Sequence, residues 1–244
     1  MDNDRHLSCR EPSRESADPY CLRSGESARL LAGHPWRRFA VLGDSVAEGL
    51  SEPVPGYGSA QLADRVAHEL AAAAPDLVYL NLGHRGLRAR EVAARQLGPA
   101  LEFRPDLALV VCGANDAFPA TYRPASVDAQ LRTMVTALRA AGADVITVGL
   151  YNVSYSPSPA IADWLRPGLR RRMETLSEHT AAVAAELGTL HVNLTAHPAA
   201  TDPGLFSGDG RHVNARGDAI ALAETVRVLG AHLAAVRGAR TGRR

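Results

Sequence analysis

The strongest constraint on the fold is the alternation of five short apolar runs with segments that have a helical pattern. The runs read RFAVLG at residues 38–43, DLVYLNLG at 76–83, DLALVVCG at 106–113, ADVITVGL at 143–150 and TLHVNL at 189–194. Strands that alternate with helices build a parallel sheet with helices on both faces. The pattern therefore predicts an α/β protein with a three-layer α/β/α architecture and five parallel strands.

The segments between the runs carry helical signals. They cover residues 59–74, 88–101, 126–142, 167–188 and 214–236. In the first segment, Leu62, Val66 and Leu70 recur at a spacing of four, which places them on one helix face. Ser126 is the expected N-cap of the third helix, and Gly142 is its expected end.

The chain divides by composition into three parts. Its 244 residues are enough for one domain with a sizeable core, and the length does not require two. Residues 1–35 are rich in Arg, Ser, Asp, Glu and Pro without periodicity, which predicts a disordered or loosely attached leader. Residues 36–236 form the predicted folded domain, and residues 237–244 form a basic, flexible tail.

Charge and apolar patterning limit the partners and the location. The net charge of +1 indicates neither nucleic acid nor a membrane surface as a partner. The chain has no run of 18 apolar residues and no signal-peptide pattern, so we expect no membrane span and a cytoplasmic protein. Cys112 is expected to be a small buried side chain, whereas Cys9 and Cys21 could pair without implying a disulfide framework.

Polar motifs follow the first three predicted strands, and a fourth motif precedes the last predicted helix in the connection from the fifth strand. They are GDS at residues 43–45, NLGHRG at 81–86, GAND at 113–116 and DGRH at 209–212. Each motif alone reads equally well as a turn. Ligands of open α/β sheets bind at the carboxyl ends of the strands, so four such motifs along one predicted sheet indicate a site.

The residue types in these motifs are those of acyl transfer. Ser45 is a nucleophile once a base removes its proton, and His212 is the base best suited to neutral pH. Asp209, three residues before His212, can fix the histidine tautomer. The expected oxyanion donors are the backbone N–H groups of Ser45 and Gly86 and the side-chain amide of Asn115.

These motifs resemble the four blocks of the SGNH hydrolases, the GDSL-type esterase/lipase family. The resemblance spans residues 43–212 and fills all five functional positions with Ser45, Gly86, Asn115, Asp209 and His212. The second block is similar to that of actinobacterial cytoplasmic members. The resemblance implies a flavodoxin-like sheet of five parallel strands, the SGNH hydrolase fold, and carboxylic ester hydrolysis through an acyl-serine intermediate.

Irregular segments beside the motifs are expected to select the substrate. They are residues 51–59, 117–126 and 151–168, and the last contains Trp164 in a Ser- and Pro-rich stretch. Trp164 either contributes to a wall or lid, or is one packed side chain in a plain connector. His84 is a second candidate for substrate contact. We expect a small or medium ester substrate, no cofactor and no metal, because HVNLTAH at residues 191–197 lacks a carboxylate or cysteine at ligand spacing.

Three other functions fit parts of the pattern. An acyltransferase would use the same acyl-Ser45 intermediate to modify a sugar or metabolite hydroxyl, and the motifs do not separate it from a hydrolase. A catalytically silent binding or scaffold module is disfavoured because all five positions are filled. A nucleotide-binding protein is disfavoured because no phosphate-binding loop follows the first strand. The sequence does not determine the oligomeric state.

Overall fold

The computed structural model of the chain describes residues 14–241. Five strands in this part form one sheet: β1 (Arg38–Gly43), β2 (Val78–Asn81), β3 (Leu107–Val111), β4 (Asp144–Gly149) and β5 (Leu190–Asn193). Their order is β2-β1-β3-β4-β5, and every neighbouring pair is parallel. This is the flavodoxin-like order, whose switch point lies between β1 and β3. The predicted fold class is confirmed.

Helices lie on both sides of the sheet. They are α1 (Arg14–Ala17), α2 (Glu26–Leu30), α3 (Ser45–Glu48), α4 (Leu62–Ala73), α5 (Ala89–Phe103), α6 (Ala114–Ala117), α7 (Pro124–Ala140), α8 (Arg166–Leu187) and α9 (Ala215–Thr241). Short 3-10 turns span Val153–Tyr155, Asp163–Leu165 and Pro203–Leu205. The row of α5, α7 and α8 packs together, and α9 packs with α2, α4 and β5.

The central strands and the inward helix faces make the core. All residues of β3 are at most 1% exposed, which follows from the helices that cover both faces of the sheet. In α4, Leu62, Val66 and Leu70 are all buried, as their spacing predicts. The core therefore fixes β1 and β3. The switch point of the sheet lies between these two strands, and the loops that follow them border it.

The first turn of α7 differs from the sequence prediction. The helix begins at Pro124 rather than at a Ser126 N-cap, and Arg123 precedes it in extended conformation. Proline suits the first helical position because it has no N–H to leave unpaired and its φ angle is already helical. Gly142 follows the helix with φ of +96° and ends it as predicted.

The structure also differs from the predicted leader over residues 1–35. Residues 14–35 pack on the domain, where Cys21 and Leu31 are buried. Asp18 forms an ion pair with Arg216 of α9 at 2.7 Å. The polar composition hides these few apolar anchors, which is why the pattern predicts disorder. Residues 1–13, including Cys9 and its possible pairing, and residues 242–244 lie outside the described part.

The last helix extends further than predicted. It continues through residues 237–241 of the expected flexible tail. By length and composition alone, its Ala215–Ala239 stretch would also suffice to cross a membrane, since its most apolar 18-residue window has a mean hydropathy of 1.5. More than half of the most apolar window, 56%, is buried inside the protein. Its apolar residues therefore serve the core between α4 and β5.

Candidate active site

The turn after β1 positions Ser45 as the first residue of α3. Asp44 caps this helix, and its carboxylate accepts a hydrogen bond from the backbone N–H of Val46 at 3.1 Å. A side chain at Gly43 would overlap the carbonyl oxygen of Val111 on β3 and the Ala47 side chain. Glycine therefore lets the chain leave the sheet tightly, and Ser45 emerges at its carboxyl edge, only 7% exposed.

Ser45, His212 and Asp209 form a continuous hydrogen-bonded chain. The Ser45 Oγ lies 2.7 Å from His212 Nε2, although the two residues are 167 positions apart. On the other side of the ring, His212 Nδ1 lies 2.5 Å from Asp209 Oδ2. With the Nδ1 proton donated to the carboxylate, Nε2 is free to accept the serine proton. The sheet brings together the three residues that the motifs predict.

The short loop of residues 209–212 holds Asp209 in its charged form. Its Oδ1 accepts backbone hydrogen bonds from Arg211 and His212 at 2.8 and 3.1 Å. Burial opposes ionisation, but the hydrogen bonds from the His212 ring and from these N–H groups outweigh it and lower the pKa of Asp209. A charged Asp209 can stabilise the imidazolium that forms when His212 takes a proton.

The loop after β2 approaches α3 closely. Asn81 donates from its side chain to the Ala47 carbonyl at 2.7 Å and accepts from the Gly83 N–H at 2.8 Å. A Cβ at Gly83 would overlap the backbone of Ala47 and Glu48. Gly86 has a φ of +79°, and no atom lies within 4 Å of the position that a Cβ would take there. The two glycines therefore have different roles, one in close packing and the other in a left-handed turn.

Asn115 lies in α6, directly after β3. Its side-chain nitrogen donates to the Leu87 carbonyl at 3.0 Å and contacts Asp44 Oδ2 at 3.5 Å. The neighbouring Asp116 accepts from the Ala89 N–H at 2.9 Å, at the start of α5. Asn115 therefore joins the loops that carry Ser45 and Gly86.

Asp44 is fully buried within this network. Burial raises its pKa to about 7, and the nearby Asp116 carboxylate adds to the shift. The side chain caps α3 and faces Asn115, while Asp209 is the carboxylate that contacts His212. Asp44 therefore stabilises the turn that carries Ser45, although it is next to Ser45 in the sequence.

Two supporting contacts escape the sequence analysis. The buried Gln96 on α5 hydrogen-bonds both the N–H and the carbonyl of Gly43, at 2.7 and 2.9 Å. Glu48 on α3 forms an ion pair with Arg85 at 2.7 Å and accepts its backbone N–H. Neither residue belongs to a motif with a recognisable spacing. The only sequence signal for the role of Gln96 is that a glutamine lies on an otherwise apolar face of α5.

His84 and Trp164, the two predicted substrate contacts, are both exposed. The His84 ring nitrogen Nδ1 lies 3.0 Å from the Arg85 carbonyl. Trp164 is 81% exposed, so it is not a packed side chain of a plain connector. Its segment nevertheless contacts the residue just before Asp209, because the Ser158 hydroxyl donates to the Gly208 carbonyl at 2.5 Å.

An apolar cavity of about 40 Å³ adjoins the hydrogen-bonded chain. His212 lines it, as do Val46 beside the nucleophile and Ala114 beside Asn115. Tyr151 and Val153, from the irregular segment after β4, also contribute to its wall. The segment that contains Trp164 therefore borders the site through its earlier residues.

The histidines outside the triad have ordinary contacts. The His191 ring nitrogen Nδ1 lies 3.0 Å from the Thr147 hydroxyl, and His197 packs edge-on against Tyr20. Among residues 14–241, three or more His, Cys, Asp or Glu side chains nowhere gather in an arrangement that could hold a metal ion.

Comparison with known proteins agrees with this geometry. Residues 41–220 match the GDSL-like Lipase/Acylhydrolase family. Those residues include Ser45, Gly86, Asn115, Asp209 and His212. A search of curated protein sequences finds no match to the chain.

Solved structures share the fold at low sequence identity. The acetylxylan esterase Axe2 from Geobacillus stearothermophilus has a TM-score of 0.63 and 20% identity, covering 82% of this chain and 95% of its own. A lipase/acylhydrolase from Enterococcus faecalis has a TM-score of 0.61 and 23% identity, covering 80% and 96%. LAE5, an alpha/beta hydrolase from the metagenome of Lake Arreo, Spain, has a TM-score of 0.63 and 20% identity, covering 82% and 96%. The chain therefore belongs to the GDSL-like lipase/acylhydrolase family and is a carboxylic ester hydrolase of the GDSL type.

Proposed function

We propose that the protein cleaves esters of small or medium size through a covalent acyl-Ser45 intermediate. The observation that carries this proposal is the hydrogen-bonded chain from Ser45 Oγ through His212 to Asp209, at 2.7 and 2.5 Å. In such a chain the histidine accepts the serine proton as the hydroxyl attacks the ester carbonyl. The remaining steps follow from the same three side chains.

In the first half-reaction, Ser45 Oγ forms a bond to the carbonyl carbon while its proton moves to His212 Nε2. The tetrahedral intermediate then collapses, the bond to the alcohol oxygen breaks, and His212 returns the proton to that oxygen. In the second half-reaction a water molecule attacks the acyl-serine. His212 takes a proton from the water and gives it to Ser45 Oγ as the carboxylic acid leaves. Asp209 holds the His212 tautomer throughout.

The developing oxyanion needs preorganised donors beside Ser45. We assign this task to the backbone N–H of Ser45, the backbone N–H of Gly86 and the side-chain amide of Asn115. Two features support the assignment: Ser45 begins α3, so its N–H has no partner within that helix, and Gly86 has open space around it. The Asn115 contact with Asp44 is long, at 3.5 Å, so a closer acceptor can replace it.

Two exposed side chains are proposed to contact substrate outside the catalytic chain. His84 follows β2 on the loop that also carries Gly86. Trp164 belongs to the segment whose Ser158 hydrogen-bonds Gly208, next to Asp209. Both side chains are exposed, and the exposed fraction of Trp164 is 81%.

We also propose a cytoplasmic location, which cell fractionation with an antibody to the protein tests directly.

Hydrolysis of p-nitrophenyl acetate tests the proposed activity. We expect wild-type protein to release p-nitrophenol and Ser45→Ala protein to release none above the uncatalysed rate. Thermal unfolding of both proteins controls for folding, since a hydroxyl-to-hydrogen change at a 7% exposed residue leaves the packing in place. Equal turnover by the two proteins would contradict the proposal.

A further inference from the structure

The apolar cavity beside His212 is also lined by the sequence neighbours of two other residues of the proposed catalytic machinery. It is lined by Val46, which follows Ser45, by Ala114, which precedes Asn115, and by His212 itself. A carbonyl carbon within reach of Ser45 Oγ therefore has one of its two substituents next to this cavity. The cavity is thus a candidate site for either the acyl chain or the alcohol group of the ester.

The far walls of the cavity are apolar and belong to the core. Val148 and Leu150 come from β4 and the residue after it, Met173 from α8 and Ala221 from α9. Met173 is 1% exposed and Ala221 is 2% exposed. These elements pack on the sheet, so the cavity has fixed walls and ends inside the protein. A flexible chain that enters the cavity can therefore have only a limited length.

Besides His212, three polar side chains border the cavity without making it polar. The Asp218 Oδ2 and the Tyr151 hydroxyl are covered by protein, so neither oxygen is open to the cavity. Burial also raises the pKa of Asp218 to about 7. The Arg211 guanidinium lies over the Phe118 ring, 4.8 Å from its centre. An uncharged, apolar group therefore suits the space better than a charged one.

The order of the two half-reactions favours the acyl chain over the alcohol. The alcohol leaves first, and water then approaches the acyl-serine from the side that the alcohol has vacated. That side has to stay connected to solvent, whereas the acyl chain stays in place through both steps. A cavity that ends in the core suits the group that remains bound.

The size of the cavity limits the chain length. Its volume is about 40 Å³. An engineered apolar cavity of about 150 Å³ holds benzene. A group of only a few carbons therefore fits here without a change in the walls. Met173 is the longest unbranched apolar side chain among the lining residues, so shortening it would enlarge the space more than shortening its neighbours.

We propose that this cavity is the acyl pocket, that it selects short-chain acyl esters, and that Met173 sets the upper limit of chain length. The inference rests on the proposed function and names the acyl class that the same site accepts. Val46, Val148 and Ala221 are among its other apolar lining residues. The alcohol group points away from the core toward solvent.

A pair of methionine variants tests the assignment with a matched control. Met173→Ala enlarges the pocket, whereas Met134→Ala removes an equally buried methionine from α7, away from the site. The substrates are p-nitrophenyl acetate, butyrate, hexanoate and octanoate. For wild type, we expect kcat/KM to fall on the order of tenfold or more beyond butyrate, as one methylene is worth that much in a fixed pocket.

Met173→Ala is expected to raise the octanoate-to-acetate ratio of kcat/KM on the order of tenfold, while Met134→Ala keeps the wild-type ratio. Ala221→Leu fills the same space from α9 and is expected to lower butyrate turnover relative to acetate turnover. This second variant tests the pocket without creating a void. Identical chain-length profiles for wild type and both pocket variants would overturn the inference.

Binding without turnover separates this inference from the proposed function. The ester series is titrated calorimetrically into Ser45→Ala protein, with and without Met173→Ala. A shift toward longer chains in the double variant supports the pocket even if wild-type protein hydrolyses nothing, which would contradict only the proposed function. If wild-type protein is active but Met173→Ala changes neither binding nor turnover of the ester series, only the pocket assignment is contradicted.

Discussion

The side-chain amide of Gln96 closes on the backbone of Gly43, two residues before Ser45. Gly43 N–H donates to Gln96 Oε1 at 2.7 Å, and Gln96 Nε2 donates back to the Gly43 carbonyl at 2.9 Å. Gln96 is 4% exposed and lies on α5. The pair of bonds fixes the last residue of β1 against a helix, so it fixes the direction in which the chain leaves toward the nucleophile.

We expect Gln96→Leu to lower kcat on the order of tenfold with little change in KM. Leucine keeps the volume but leaves the buried Gly43 N–H without a partner, which costs about 1–3 kcal/mol of the free energy of unfolding. Urea unfolding and steady-state kinetics measure the two effects separately. Gln96→Glu keeps the Oε1 acceptor and is expected to retain more activity than leucine. Unchanged kcat in both variants would show that Gln96 does not position Ser45.

Asp209→Asn is expected to lower kcat by about 10⁴, because an amide in this position of a triad stabilises the wrong histidine tautomer. Asp202→Asn is the matched control. Asp202 pairs with Arg216 at 2.6 Å and does not contact His212, so its loss is expected to leave kcat within a few-fold of wild type. Ester hydrolysis at saturating substrate measures both. Similar losses in the two variants would argue against a specific role for Asp209.

Alanine at Gly83 is expected to cost much more stability than alanine at Gly86. Gly83→Ala places a Cβ against the backbone of Ala47 and Glu48, so we expect a large loss of stability. Gly86→Ala meets open space and costs only the left-handed conformation, about 1–2 kcal/mol. Thermal unfolding ranks the two. Folded Gly86→Ala protein is expected to lose activity, because strain in the turn shifts the Gly86 N–H. Full activity of this variant would contradict the role of that N–H as an oxyanion donor.

The sequence predicts more of the site than of its support. The strand ends and the four motifs predict Ser45, His212 and Asp209, because the carboxyl ends of parallel strands meet at one edge of the sheet. The flavodoxin-like strand order is implied by the family resemblance and is the order observed. The contact of Gln96 with Gly43 depends on how α5 packs on β1, and a single buried glutamine carries no spacing signal.

The N-terminal residues show a second limit of sequence patterns. A few anchors hold residues 14–35 on α9: the buried Cys21 and Leu31, and the ion pairs of Asp18 and Glu26 with α9 arginines. Average composition in this stretch resembles that of a disordered segment. Only the tertiary partners, about 200 positions away, reveal that these residues dock. Local periodicity therefore cannot separate a docked segment from a free one.

Asp218→Asn is expected to make stability less dependent on pH. Burial raises the pKa of Asp218 from an ordinary 3.8 to about 7 in the folded protein. Between these pH values the folded state holds a proton that the unfolded state has lost, so stability falls as pH rises, by at most about 1.4 kcal/mol per pH unit. Asparagine removes this loss, and the variant is expected to gain stability relative to wild type from pH 4 to pH 8.

Asp202→Asn serves again as a control, with the opposite sign. The Arg216 guanidinium lowers the pKa of Asp202, so this carboxylate stabilises the fold above its ordinary pKa of 3.8, and the contribution is lost as pH falls. Its variant is expected to be less stable than wild type near pH 7 and to approach wild type near pH 3. Chemical unfolding across this pH range measures both. Parallel curves for Asp218→Asn and wild type would mean that Asp218 is ionised normally.

Covalent labelling of Ser45 tests the central claim most directly. A fluorophosphonate probe reacts only with a serine whose proton a neighbouring base can take, and here that base is His212, 2.7 Å from Ser45 Oγ. We expect peptide mass spectrometry to locate the label at Ser45, the labelling to disappear in Ser45→Ala, and its rate to fall steeply in His212→Ala. Folded wild-type protein that takes up no label, or takes it up at another residue, would contradict the account.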